Sequence, residues 1–249
     1  MLSVSTVIIK RLTIIAAAQS VVTKLIRRGV MTLKEAMWQR HTVRKYEDRA
    51  ISIEHIQLIE TRINENNQKY GLDLKLILNN KLALNTFIKL FLSRGVSNYI
   101  VLAAKNINNS AENLGYCGAD IMLYAQTLGL NTWWVGGTFS KKNVAKVVGT
   151  SNMVGIIAIG YGMLQGQAHK SKTAEEVSVY KGEAPDWFNE GVNAALLAPT
   201  AMNRQAFHIE GEENKVRISY DKGVCDRESL GIVKYHFELG AGSDNFEWN

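Results

Sequence analysis

A chain of 249 residues with 46% hydrophobic side chains can bury a large core, so one large domain or two fused halves fit it and a disordered or fibrous chain does not. Its net charge of +6 is concentrated at one end: residues 1–30 hold Lys10, Arg11, Lys24, Arg27 and Arg28 and no acid, leaving the body at +1. A cationic tail without a zinc-finger or RNA-binding aromatic signature argues against a nucleic-acid binder. Cys117 and Cys225, far apart and without partners at metal-ligand spacing, argue against a disulfide framework or a metal site and for a reducing, cytoplasmic compartment.

The longest uncharged stretch of the opening segment, Leu12 to Thr23, is shorter than the ~20 apolar residues a membrane helix needs, so no integral span is expected. Residues 1–30 are read as a basic extension outside the fold. An organellar transit peptide, a secretory signal and a true start at Met31 all remain open. From residue 32 the elements follow closely. A helix opens with "TLKEAMWQR", Ser52 caps a second helix running to about Asn66, Leu72–Leu78 is a strand and Tyr99–Ala104 another. Leu114, Cys117, Ile121, Tyr124 and Leu128 recur at spacings of three and four, the buried stripe of a helix that Gly129 ends. Thr132–Val135 is a strand running into Gly136 and Gly137, and Met153–Ile159 a buried strand. Asp186 caps a helix over Trp187–Leu197 that Pro199 stops. Residues 206–210 and 215–220 form a hairpin, and a last helix runs from Asp226 or Ser229 to Gly240. Helices and strands alternating without long linkers predict an α+β domain over 31–249.

"NLGYCGADIMLYAQ" (113–126) aligns with "SLGIVKYHFELGAG" (229–242), sharing Leu-Gly, and a helix followed by a strand precedes each. Two related halves, about 31–180 and 181–249, follow from this, although common helix patterns also produce such matches.

Four stretches could carry chemistry. "RHTVRKY" offers Arg40, His41, Thr42 and Arg44, whose guanidiniums, imidazole and hydroxyl suit a phosphate; alone, it also describes a solvated basic loop. "WWVGGTF" puts Gly136 and Gly137 after a strand, where a planar or anionic ligand can approach the backbone, or where a strand simply turns. "HKSK" brings His169, Lys170 and Lys172 together as a second phosphate contact or a mobile loop. In "APTAMNRQAF", Pro199 stops a helix, Thr200 and Ala201 keep bulk low, and Asn203 and Gln205 carry the donors and acceptors that suit a ring edge of alternating carbonyl and N–H groups, or that satisfy loop backbone. No GxSxG elbow, P-loop, HExxH, CxxC or GxGxxG is present.

Together these stretches resemble the FMN-dependent nitroreductase family, over about Met31 to Trp248. "RHTVRKY" is similar to its phosphate-binding signature, "LGYCGADIMLYAQTLGLNTWWVGGTF" to its central helix, strand and glycine turn, and "APTAMNRQAF" to its A-P-S-x-x-N-x-Q-P-W segment. The resemblance implies a nitroreductase-like α+β fold with FMN as cofactor and NADH or NADPH (NAD(P)H) as donor. A small-molecule electron acceptor, such as a nitroaromatic or quinone, would be served in ping-pong order. Carried over by residue, it implies that Arg40, His41, Thr42 and Arg44 hold the phosphate and ribityl chain with Lys170 or Lys172. Gly136 and Gly137 would lie beside the flavin, with Pro199, Thr200, Ala201, Asn203 and Gln205 along its ring. No catalytic side chain is assigned. Two departures stand out: the Asn/Gln segment lies far downstream of its usual place, and Ala206-Phe207 replace Pro-Trp. Ordinary members are homodimers whose flavins touch both subunits. The late segment and the internal repeat imply a pseudo-dimer with one complete site, monomeric or paired as a homodimer. A flavin-binding or sensing module without turnover is the second reading, and a membrane-surface or nucleic-acid-associated protein acting through residues 1–30 the third.

Overall fold

A computed structural model describes residues 31–249; the basic extension expected over residues 1–30 lies outside the described residues. Leu33–Asn249 form a single unit built on two sheets. Its first part runs α1 (Leu33–Gln39), α2 (Ile53–Tyr70), β1 (Lys75–Ile77), α3 (Thr86–Phe91), β2 (Tyr99–Ala103), α4 (Ile107–Thr127), β3 (Asn131–Val135), α5 (Lys141–Val148) and β4 (Met153–Gly160). The second runs α6 (Ala174–Val177), β5 (Ser178–Lys181), α7 (Asp186–Ala195), β6 (Phe207–Glu212), β7 (Lys215–Tyr220), α8 (Asp226–Ala241) and β8 (Glu247–Trp248). A mixed α+β fold is what the alternating pattern predicts, and it is what forms.

The first sheet has the order β1-β2-β4-β3, antiparallel throughout. Both faces of β2 are covered, so its side chains read as the unbroken apolar run Tyr-Ile-Val-Leu-Ala. Ile100 and Leu102 point into a core shared with α2 and α4, while Tyr99, Val101 and Ala103 point into a second core with Ala83, Ile88, Phe139 and Val144. The second sheet, β5-β6-β7-β8, alternates instead. In β6, Phe207 and Ile209 face inward while His208 and Glu210 face water, as expected where helices cover one face only. Phe188, Val192, Ile232 and Phe237 from α7 and α8 fill the space against that face, each side chain contributing about 1.5–3 kcal/mol by removal from water.

Helix α4 separates the two cores: Leu114, Cys117, Ile121 and Met122 pack on the first sheet's side, Ala119 and Leu123 on the second. Twelve of its residues are buried, which is why its stripe extends all round and includes two glycines. Gly115 and Gly231 let α4 and α8 cross at backbone contact, since a Cβ on Gly115 would lie 2.0 Å from the Glu228 carbonyl oxygen. Inside this packing Asp120 is 2% exposed. It accepts hydrogen bonds from Arg62 (Nε 2.8 Å, Nη2 2.6 Å), Asn66 (2.8 Å) and the Tyr235 hydroxyl (2.7 Å).

Several expectations are corrected. Asp186 is the first helical residue of α7 and Pro185 the cap; the carboxylate sits in the first turn, where it complements the helix dipole without bonding an amide. The strand expected over Leu72–Leu78 shortens to Lys75–Ile77, because Asn67 engages both the amide and the carbonyl of Leu74. The first sheet ends with β4 at Gly160 and the second begins with β5 at Ser178. Helices α3 and α5 carried no recognised signal.

Candidate functional site

Helix α1 ends where the Arg40 amide bonds the Ala36 carbonyl at 2.8 Å. The chain then runs beside β3: Thr42 bridges Thr132, and the Val43 amide donates to the Thr132 carbonyl at 3.1 Å. This pairing turns Arg40, His41, Thr42 and Arg44 toward the end of β3, where Trp133, Trp134, Gly136 and Gly137 follow. The Arg44 guanidinium lies 5.4 Å from the centre of the Trp133 ring. The loop after β4 closes over the same segment. Gly166, at φ +78°, lies so near that a Cβ there would meet the Thr42 carbonyl at 2.8 Å.

From the second half, the turn after α7 brings Pro199, Thr200, Ala201, Met202 and Asn203, and the start of α8 brings Cys225, Glu228, Ser229 and Ile232. These groups enclose a cavity of ≈ 920 Å³, large enough for a cofactor-sized ligand. Met202 (φ 52°), Asn203 (53°), Gln205 (45°) and Cys225 (54°) all hold left-handed backbone, a conformation that costs an ordinary residue about 1–2 kcal/mol. Such strain collects at sites where surrounding structure enforces it.

Ten of the thirteen expected site residues line this cavity: Arg40, His41, Thr42, Arg44, Gly136, Gly137, Pro199, Thr200, Ala201 and Asn203. Gln205, Lys170 and Lys172 do not. Gln205 is 1% exposed and works as an internal tie. Its Oε1 accepts from the Lys172 amide at 2.7 Å, and its Nε2 donates to the Leu196 carbonyl at 2.8 Å. Lys172 returns its ammonium to the Gln205 carbonyl at 2.9 Å, and the Asn203 amide group donates to the Lys170 carbonyl at 2.7 Å. Two segments expected to touch a ligand separately are thus bound to each other, and this bond shapes one wall. His169, in the same loop, does reach the cavity. Trp133 and Trp134 were within the quoted motif. Cys225, Glu228 and Ser229 were not among the expected site residues: Cys225 reads as a free cysteine, Ser229 as the start of a helix, and Glu228 carries no signal.

Arg40 is the outstanding group electrostatically. It is 5% exposed. Among the described residues no carboxylate lies within ion-pair distance of it and its guanidinium makes no hydrogen bond, whereas the half-buried Arg62 has Asp120 at 2.6 Å. Burial lowers the Arg40 pKa to about 10, so it is still a cation at neutral pH. Burial, then Arg40 and His169, depress His41 below the usual histidine range, so it stands as a neutral imidazole at neutral pH. Burial pushes Glu228 upward on the opposite wall. Gly137 has nothing within 4 Å of where a Cβ would be, leaving its backbone open to the cavity. Among the described residues no group of three or more His, Cys, Asp or Glu could hold a metal.

Fold and cavity define an α+β protein with a cofactor-sized cavity lined by Arg40 and Arg44. The family model described as "Putative TM nitroreductase" matches residues 32–241, and the chain belongs to that family. Among solved structures it is similar to a nitroreductase of Thermotoga maritima, with 22% identity and a TM-score of 0.63 over 86% of each chain. It is also similar to a Desulfovibrio desulfuricans nitroreductase solved in complex with FMN, with 20% identity and a TM-score of 0.46 over 61% of this chain and 98% of that one. An FMN-dependent nitroreductase of Clostridium difficile matches at 20% identity and a TM-score of 0.44 over 54% and 90%. A search of curated proteins found no match.

Proposed function

We propose that this chain is an FMN-dependent oxidoreductase of the nitroreductase type, taking electrons from NADH or NADPH and passing them to a small acceptor such as a nitroaromatic or a quinone. The observation that carries the reading is the buried Arg40 on the cavity wall, unpaired among the described residues. A buried cation without a counter-ion costs several kcal/mol, and a phosphate on the ligand would offset that cost through charge-assisted hydrogen bonds. Arg44, held over Trp133, and Thr42 would complete the phosphate grip. Neutral His41 would donate or accept one bond without adding charge. Gly136, Gly137 and Ala201 leave room for a planar ring, and the Asn203 side-chain carbonyl is free to face its polar edge while its nitrogen holds Lys170.

When bound, FMN supplies the hydride chemistry. The chain's own part is to anchor the phosphate, hold a wall of fixed backbone and amide groups against the ring, and leave a face open to donor and acceptor in turn. Preorganised groups of that kind contribute a few kcal/mol at such sites. Residues from both halves of one polypeptide line one cavity, which supports the pseudo-dimer reading. That reading also draws support from the reciprocal contact of Gly115 and Gly231.

The test is addition of FMN to the purified chain, followed by stopped-flow absorbance with NADH and with NADPH. Retention of yellow colour after gel filtration and bleaching by at least one donor are expected. Protein that stays colourless overturns the reading; protein that binds FMN but stays oxidised with both donors is a flavin binder without turnover.

A further inference from the structure

The segment around α3 inverts the usual arrangement of a surface helix, which hides its apolar face. Within the helix only Ile88 is buried, at 5% exposure, with Ala83 and Leu84 buried just before it, while Leu82 (57%), Phe87 (64%), Leu90 (73%), Phe91 (67%) and Leu92 (49%) face solvent. Phe87 and Phe91 pair with ring centres 4.9 Å apart, and they do so outside the core. The base of the segment is well held. The Leu92 amide and the Ser93 hydroxyl both bond the Ile88 carbonyl, and the Ser140 amide bonds the Ala83 carbonyl at 2.7 Å. Side chains this exposed on a six-residue helix form a protrusion, and a cluster of them marks an interaction surface.

Its charge says what kind. No Asp or Glu occurs between Asp73 and Glu112, nor between Asp120 and Glu175. Within those stretches Lys81, Lys89 and Arg94 flank the apolar tip, and α5 adds Lys141 and Lys142 beside Asn143, which bonds the Leu82 carbonyl at 3.2 Å. All five cations are exposed. An apolar tip set in a ring of cations matches the chemistry of an anionic bilayer surface, where rings and leucines enter the acyl boundary and lysines meet headgroups. A second copy fits poorly, since a two-fold contact here would set these cations against themselves.

We propose that residues 81–94 dock this protein on an anionic lipid surface. The surface adjoins the cavity described above: the Arg94 amide bonds the Arg44 carbonyl at 3.0 Å and Asn85 bonds the Thr138 carbonyl at 3.2 Å, and Arg44 and Thr138 both line that cavity. Docking there would bring this edge of the cavity near the bilayer, where lipid-soluble acceptors concentrate. The docking itself does not depend on what the cavity binds.

The test is co-sedimentation of the full chain with phosphatidylcholine vesicles, with and without phosphatidylglycerol. Binding to the anionic vesicles only is expected. The variant Phe87→Ser/Leu90→Ser/Phe91→Ser should lower partitioning about tenfold or more, and Lys81→Glu/Lys89→Glu should lower it similarly, both keeping the wild-type thermal midpoint. A chain that stays in the supernatant overturns the proposal. So does equal binding after both sets of changes, which would assign the affinity elsewhere in the chain. Equilibrium sedimentation showing a dimer that the serine variant converts to a monomer would overturn it too, in favour of a second copy.

Discussion

Gly115 of α4 and Gly231 of α8 make the same contact in opposite directions. A Cβ on Gly115 would lie 2.0 Å from the Glu228 carbonyl oxygen, and one on Gly231 would lie 1.9 Å from that of Glu112. Each glycine meets the residue three positions before the other, the reciprocity of a two-fold interface. Because the obstructing atoms are backbone, neither helix can yield locally. Gly115→Ala or Gly231→Ala should destabilise the chain by about 3 kcal/mol, the upper end for overpacking. Gly137→Ala, with open space around it, should leave stability unchanged. Urea midpoints at constant m-value check both.

Arg40→Gln should act on stability and binding with opposite signs. Removing an unpaired buried cation should raise the stability of the ligand-free chain by about 1 kcal/mol or more, while FMN affinity falls roughly 10–100-fold with the lost charge-assisted bonds. Thermal shift with and without added FMN reads both effects. A variant less stable without FMN would mean that Arg40 has a structural role instead.

Asp120 is the opposite case, a buried charge whose partners all lie within the protein. Asp120→Ala strands Arg62, Asn66 and Tyr235 and should cost about 3–5 kcal/mol. Since the network stands apart from the cavity lining, FMN affinity of the folded fraction should stay within about twofold of wild type. Equilibrium unfolding and fluorescence titration give the two numbers.

His236 sets an acid limit. It is 1% exposed, with Nδ1 2.8 Å from the Ile232 carbonyl and Nε2 without a partner among the described residues. Burial lowers its pKa from 6.5 to about 3. The unfolded chain therefore binds a proton that the folded chain refuses throughout that window. The stability contribution is whole above pH 6.5 and is lost as pH falls toward 3, with a slope of up to about 1.4 kcal/mol per pH unit. His236→Leu should flatten the profile between pH 6.5 and 4, and urea unfolding across that range checks the slope difference.

Most helices and strands were legible because their signals are local. Ser52 caps α2 through a bond to the His55 amide, Gly129 follows α4 in the left-handed region, and β6 and β7 alternate as a hairpin should. Helix α3 carries no periodic signal because its exposed face is also apolar, so its pattern indicates an element buried all round where Ile88 alone is buried. Helix α5 follows the glycine turn directly, and a single buried residue, Val144, anchors it.

The sequence by itself determined the fold class, the family resemblance and ten of the residues that line the cavity, since covalent spacing and side-chain chemistry are written along the chain. Only the tertiary structure decided that Gln205 and Lys172 bind one another, that Arg40 meets no counter-ion among the described residues, and that Cys225, Glu228 and Ser229 join the cavity lining. Those outcomes depend on which groups distant in sequence reach hydrogen-bond range once two sheets and two crossing helices have packed. Hydrogen bonds and ion pairs act over a few ångströms, and no local pattern encodes that proximity.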